Sequence, residues 1–340
     1  MLLFLCLIWK NGLFYLYLNM IIQKILKTTE SLNINDPSKK KISFSQYSKW
    51  AKCPRSWKLS YIDKIKVSKP SISLVFGTSF HETLQHYLKT VYNESVKKAN
   101  QINLHEMLQE QMMNNYAVDL INNNNEHFAT KEQIVEHWKD GCDILDYIVK
   151  NRLKYFSRKG MELIGIELPL YVQASQTNNN VMYLGYLDLV IYDKDLDKFI
   201  IYDIKTSTKG WTDKEKKDKV KTSQVILYKK YFSELLGYPV DKIDVVFWIV
   251  RRKVWENPDN PYIKTKRVQE FTPSAGSKTL KDVTRNIDAF VSNCFNEDGS
   301  YKTNALYPAI KGVDGDNCKW CEFRNHELCP ISERITSQAI

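Results

Sequence analysis

The run Gly185-Tyr186-Leu187-Asp188-Leu189-Val190-Ile191 is followed, fifteen positions after its carboxylate, by Tyr202-Asp203-Ile204-Lys205-Thr206-Ser207. Both runs have the apolar texture of strands, and Lys194-Asp195-Leu196-Asp197-Lys198 between them reads as a turn. Residues two apart on a strand share a face, so Asp203 and Lys205 project together, and an antiparallel turn brings Asp188 beside them. Two carboxylates and an ammonium on an apolar sheet are expensive unless something binds them. A divalent metal held by Asp188 and Asp203, with Lys205 next to it, supplies that compensation and also hydrolytic machinery. A lone D-x-K tripeptide is more often a solvated sheet end. Company gives this one weight.

Downstream, Gln224 and Tyr228 lie at i and i+4 on one helix face, where an amide and a phenol can orient substrate or water. Upstream, Glu167 lies on a strand, Leu163 to Val172, and Gly77-Thr78-Ser79-Phe80-His81-Glu82 begins a helix with an imidazole in its first turn. Outward from this centre, periodicity predicts strands over 181–192, 199–205 and 242–251, with Asn178-Asn179-Asn180 as a turn and another strand over 262–271. Helices are expected over 79–98, 104–122, 131–158, 214–236 and 279–294. The order β-β-β-α-β after a helical region argues one α/β domain with a mixed central sheet flanked by helices.

This set resembles the PD-(D/E)XK nuclease superfamily, RecB-type branch, near the CRISPR-adaptation and AddB-type nuclease domains that carry an iron–sulfur cluster. The branch has, in order, G-x-x-x-H, a Glu-bearing strand, G-x-[LIV]-D, D-x-K and Q-x-x-x-Y. Here these are Gly77 to His81, Glu167, Gly185 to Asp188, Asp203 to Lys205, and Gln224 to Tyr228. The resemblance spans about 43–331 and implies a restriction-endonuclease-like fold. It implies that His81, Asp188, Asp203 and the Ile204 carbonyl ligate Mg2+ or Mn2+. Lys205 would activate water or stabilise charge, with Gln224, Tyr228 and Glu167 in support. The family often has an acidic residue one turn after the histidine; here Gln85 stands there, and no such role passes to Glu82.

Of seven cysteines, Cys318, Cys321 and Cys329 cluster near the end, and Cys53 stands upstream beside Pro54. This is no secreted disulfide framework. Spacing alone leaves open a [4Fe–4S] cluster or Zn2+, the latter held by four thiolates or by three plus His326. The resemblance implies the iron–sulfur cluster, with one cysteine before the histidine motif and three at the C-terminus. Such a centre would staple the chain ends together. Cys6, Cys142 and Cys294 read as buried thiols.

The chain has 340 residues, 43% apolar and 26% charged, which excludes wholesale disorder. Its net charge of +10 makes an anionic partner, DNA first, plausible. Residues 205–230 carry nine lysines against three acids. Lys209, Trp211, Arg251 and Arg252 are the candidate DNA contacts, with Trp211 and Trp255 able to stack bases; singly, each reads better as an ordinary surface or core residue. No helix-turn-helix or zinc-finger reader is visible, nor a helicase-type phosphate loop, so unwinding would come from a separate helicase or recombination protein.

Residues 1–19 are apolar but broken by Lys10-Asn11-Gly12, and residues 1–41 read as a poorly defined N-terminal segment. Translation from Met20 is the expectation there, with a membrane anchor as the alternative. Residues 42–340 then form one nuclease domain: a helical insertion over 79–158, a core over 160–255 and a cysteine closure over 318–331. The expected activity is metal-dependent exonucleolysis of single strands or DNA ends, in the cytoplasm of a bacterial or phage-infected cell. The competing classes are a non-catalytic DNA-binding subunit of the same fold and a zinc-stabilised structural protein.

Overall fold

The computed structural model describes residues 20–25, 27–67 and 69–336, so the apolar stretch over 1–19 lies outside the described residues. Strand β1 (Lys40–Ile42) leads into helices α1 (Phe44–Lys52), α2 (Pro54–Tyr61) and α3 (Ile72–Asn93). A short turn, α4 (Val96–Ala99), precedes α5 (Leu104–Asn122) and α6 (Lys131–Tyr155). A meander of β2 (Met161–Ser175), β3 (Asn178–Asp193) and β4 (Lys198–Ser207) follows. Helices α7 (Asp213–Lys217) and α8 (Lys219–Leu236) cross to β5 (Ile243–Arg251). The hairpin β6 (Glu256–Asn257) and β7 (Asn260–Lys264), then β8 (Val268–Phe271) and α9 (Ser277–Cys294), precede the C-terminal segment. That segment contains β9 (Ala309–Ile310), α10 (Asp316–Lys319) and β10 (Arg334–Ile335).

The main sheet runs β1-β3-β4-β5-β8, with β2 also paired to β3. It is mixed, as expected: β1 is parallel to β3 and β4 to β5, while β2–β3, β3–β4 and β5–β8 are antiparallel. Both faces are covered, so β4 and β5 are apolar on each side. On β4, Phe199 and Ile201 enter the core under α8 and α9, while Ile200, Tyr202 and Ile204 enter the core shared with α3, α5 and α6. Asp203 takes the next place after Phe199 and Ile201 in the α8-side row.

A strand has two edges, and β3 has three partners. β2 runs beside it from Ser175↔Asn178 to Met161↔Asp193 and occupies one edge. The other edge is shared: β1 pairs with Val181–Tyr183 and β4 with Leu189–Asp193. Between them the sheet forks, and Leu184–Asp188 have no strand partner on that edge among the described residues.

Several expectations are corrected. The helix expected to begin near Ser79 begins at Ile72, capped by the Ser71 side chain, and ends at Asn93. His81 is therefore in its third turn, not its first. Gly77 is mid-helix because α3 passes close to β4: a Cβ there would lie 3.3 Å from Thr206 Oγ1. The helix expected over 214–236 is two, since Asp218 caps α8 by accepting from the Lys221 N–H. Asn178, Asn179 and Asn180 belong to β3 rather than to a turn, and the strand expected over 262–271 is split into β7 and β8.

The segments over 49–57 and 290–333 meet around Trp57, which is fully buried. Its ring centroid lies 5.5 Å from each of Phe290, Tyr301 and Tyr307. Arg55 donates to the carbonyls of Tyr307 and Leu328 and pairs with Glu333, and Lys49 pairs with Glu322. Removing the indole leaves a cavity in this aromatic nest. Trp57→Ala should lower unfolding stability by about 3–5 kcal/mol, measured by urea denaturation. Trp320→Ala, at an 87% exposed position, should change it by less than about 0.5 kcal/mol.

Candidate active site

The catalytic candidates converge at the fork. Asp203 is 1% exposed in the middle of the β4–β5 register, opposite Phe247. Its Oδ2 meets the Lys205 Nζ at 2.9 Å, a charge contact, and its Oδ1 finds no donor among the described residues. Asp188 Oδ2 accepts the backbone N–H of Ile204 at 2.7 Å, which locks the two strands together at the first unpaired residue of the fork. From the other side α3 presents His81, whose Nδ1 stands 3.9 Å from Asp188 Oδ2. The face-sharing of Asp203 and Lys205 expected from strand geometry is therefore what the structure has.

Glu167 lies across from Asp188, between the register pairs Ile166↔Leu189 and Leu168↔Leu187. Its φ of 51° is in the left-handed region that non-glycine residues seldom occupy. Such strain persists where the surroundings hold it, and here Gln85 Nε2 donates to Glu167 Oε1 at 2.6 Å. Gln85, one turn after His81, is the position where the sequence departs from the family pattern. In this chain the residue there is an amide that holds an acid instead of being one. Glu82 is held elsewhere, accepting from Asn115 Nδ2 at 3.0 Å. On α8, Gln224 Nε2 donates to the Tyr228 hydroxyl at 3.0 Å, and Tyr228 is buried. Gly185 permits that packing: a Cβ would lie 2.9 Å from the Tyr183 ring and 3.3 Å from the Tyr228 ring.

Burial dominates the electrostatics. It pushes the Asp203 carboxyl up to about 6, opposed by the Lys205 ammonium and reinforced by Asp188. Asp188 is likewise raised to about 6 by burial, against Lys205 and the Ile204 N–H. Burial pulls the Lys205 ammonium down, but Asp203 and Asp188 outweigh it and leave it above its ordinary value. Burial, then Lys205, lowers the His81 imidazole and favours its neutral, ligand-competent form. Raised buried carboxyls around a basic group are a frequent mark of a functional site.

The donor set suits a hard divalent cation: two carboxylates, the Ile204 carbonyl and an imidazole, with one carboxylate oxygen buried and unsatisfied. As the side chains lie, no three His, Cys, Asp or Glu among the described residues close on a common ion. That holds for the cysteine quartet too, although its members are neighbours. Cys53 Sγ accepts the Ile310 N–H at 3.3 Å and feels Cys329, while Cys321 feels Cys53. Cys318 is in α10, three residues before Cys321.

The DNA candidates divide. Trp211 is not a free stacking surface: it is buried, with its ring 4.6 Å from Phe247 and Lys221 Nζ 4.1 Å above it. Arg252 pairs with Asp140 at 2.7 Å and with Glu136, tying β5 to α6. Arg251 donates to the carbonyls of Lys209 and Lys266. The Lys209 side chain is exposed, and Trp255, at 55%, is the available aromatic. No helix among the described residues is long and apolar enough to cross a membrane.

The family model of the PD-(D/E)XK nuclease superfamily matches residues 41–330. No curated protein matches the sequence. The solved structure of a protein named SSO0001 aligns over 94% of this chain and 97% of its own, at 13% identity and a TM-score of 0.35.

The raised carboxyls make stability depend on pH. Each folded-state value near 6 lies above the unfolded value of about 3.9, so their contribution is present below about pH 4 and lost as pH rises through 6. In chelator-treated protein, Asp203→Asn should therefore raise the unfolding midpoint at pH 7.5, by the equivalent of about 3 kcal/mol. It should change little at pH 4. Equal effects at both pH values would show that the carboxyl is not strained by burial.

Proposed function

Since this chain belongs to the PD-(D/E)XK nuclease superfamily, we propose that it is a Mg2+- or Mn2+-dependent deoxyribonuclease acting as an exonuclease on single strands or DNA ends. The observation that carries the reading is Asp203: a carboxylate 1% exposed, with one oxygen lacking any donor, beside Asp188 and Lys205. Burying such a group is unfavourable by several kcal/mol unless a cation compensates. Asp188, Asp203, the Ile204 carbonyl and His81 would hold the ion. When bound, it lowers the pKa of water and offsets charge on the phosphodiester.

The protein's own groups do the rest. Lys205 keeps its ammonium protonated at the carboxylates, where it can meet negative charge growing on phosphate. Gln224 and Tyr228, already bonded to each other, orient what enters from the α8 side. Gln85 keeps Glu167 facing the site. In this reading residues 42–340 are one nuclease domain. Cys53, Cys318, Cys321 and Cys329 carry a [4Fe–4S] cluster, with Zn2+ as the alternative. The setting is DNA recombination, repair or phage DNA metabolism in the cytoplasm of a bacterial or phage-infected cell, with unwinding supplied by a separate helicase or recombination protein.

End-labelled single-stranded DNA with Mn2+ should be degraded by the wild type. Lys205→Ala should be slower by on the order of a hundredfold or more; equal rates would refute the mechanism. Anaerobically prepared protein should be brown, and Cys321→Ala should bleach it. A colourless wild type containing zinc would favour the structural metal instead.

A further inference from the structure

The fork in the sheet opens a cavity of about 450 Å3 beside the carboxylates, within the usual size range of small-ligand sites. Its floor is the unpaired edge of β3 at Leu184–Tyr186, and its opposite wall is the start of α1. Ser43 caps that helix by accepting from the Gln46 N–H, so the helix's positive end and the exposed Ser45 hydroxyl face the opening. A helix start alone would mean little. Here Tyr183, fully buried, lines the same cavity with a hydroxyl that has no partner among the described residues. Gln46 Oε1 is a second buried atom without one.

The lining has one cation, Lys41, and no carboxylate. It has two rings that reach the surface side, Phe44 and the half-exposed Tyr186. Gln224 and Tyr228 belong to both the cavity and the catalytic group, and Asp203 and Asp188 both act on the Tyr228 phenol. The cavity therefore abuts the place where phosphodiester cleavage is proposed. Amides and hydroxyls for a base or sugar, rings for stacking, and a helix start with a lysine for phosphate make one chemical set.

We propose that the fork cavity is a nucleotide subsite: it holds the nucleotide next to the bond being cut, with its phosphate toward Ser45 and Lys41 and its base against Tyr186. The inference rests on the nuclease reading and adds to it where the strand is gripped. It also accounts for two polar atoms, on Tyr183 and Gln46, that would otherwise be buried without purpose.

The test is binding of a fluorescein-labelled twelve-residue thymidine oligonucleotide, by anisotropy, without added metal so that cleavage cannot intrude. Ser45→Asp puts an anion in the first turn of α1, where it favours the helix, so lost affinity cannot be assigned to unfolding. It should weaken binding at least tenfold, and Tyr186→Ala about threefold. Lys97→Asp, a larger charge change on an exposed turn away from the cavity, should alter affinity less than twofold. Equal affinity for wild type and Ser45→Asp would overturn the subsite and leave the nuclease reading standing. So would an equal loss in Ser45→Asp and Lys97→Asp. A wild type that binds the oligonucleotide but fails to cut it with Mn2+ would instead overturn the nuclease reading, and the binding comparison would still judge the subsite.

Discussion

One edge of a strand cannot serve two neighbours over the same residues, and this constraint on β3 organises the molecule. β1 arrives parallel and β4 antiparallel, each taking one end of the edge, and five residues between them are left without a ladder. Backbone polar groups left in this way need partners. Asp188, at the inner end of the gap, supplies one by accepting the Ile204 N–H. The same hydrogen bond that closes the fork thus places the first carboxylate against the D-x-K strand.

Close approach does the remaining positioning. Gly77 lets α3 lie near Thr206, which brings His81 to the carboxylates from the opposite layer. Gly185 lets the rings of Tyr183 and Tyr228 come together under the strand. Small residues at these two crossings make room for a concentration of acids and bases that a well-packed apolar sheet would exclude. Lys205 relieves part of the resulting electrostatic burden, but Asp203 remains raised and half unsatisfied. An apolar replacement of the same volume would be more comfortable there, which argues that the arrangement persists for binding and not for stability.

Much of this was legible in the sequence. Apolar runs bounded by polar segments located β3, β4 and β5 closely, because a sheet covered on both faces demands apolar residues on each side of its strands. Asp188, Asp203 and Lys205 lie together as strand geometry implied, whereas the approach of His81 and Glu167 to them was suggested by the family resemblance and not by spacing. What was not legible depended on tertiary contact. The start of α3 was missed because Gly77 reads as a helix breaker until its packing against Thr206 is known. The break at Asp218 was hidden in a lysine-rich run that is helical on both sides. Trp211 and Arg252 carry signs of nucleic-acid contact in sequence, yet their partners Phe247 and Asp140 are distant along the chain. Gln85 was visible only as a departure; its hydrogen bond to Glu167 gives that departure a physical meaning. Tyr183 gave no signal, since a tyrosine in an apolar strand is ordinary until its hydroxyl is found without a partner.

Helix α1 runs from the fork cavity to Cys53. Its first residues wall the fork cavity, and its C-terminal neighbour is Cys53, which accepts the Ile310 N–H. Nine residues span about 13 Å, short enough to move as a rigid unit. Lys49, Arg55 and Trp57 already anchor the Cys53 end to the C-terminal segment through Glu322, Glu333 and the Tyr307 ring. The segments around Cys53 and over 307–333 are therefore joined by ordinary side-chain contacts, and their closure does not rest on the thiols alone. A centre held by Cys53 and the C-terminal cysteines would tighten that anchor, and through the rigid helix it would fix Ser43 and Ser45 at the fork. The same short helix gives a physical reason for one protein to combine a terminal cysteine cluster with a site far along the sheet.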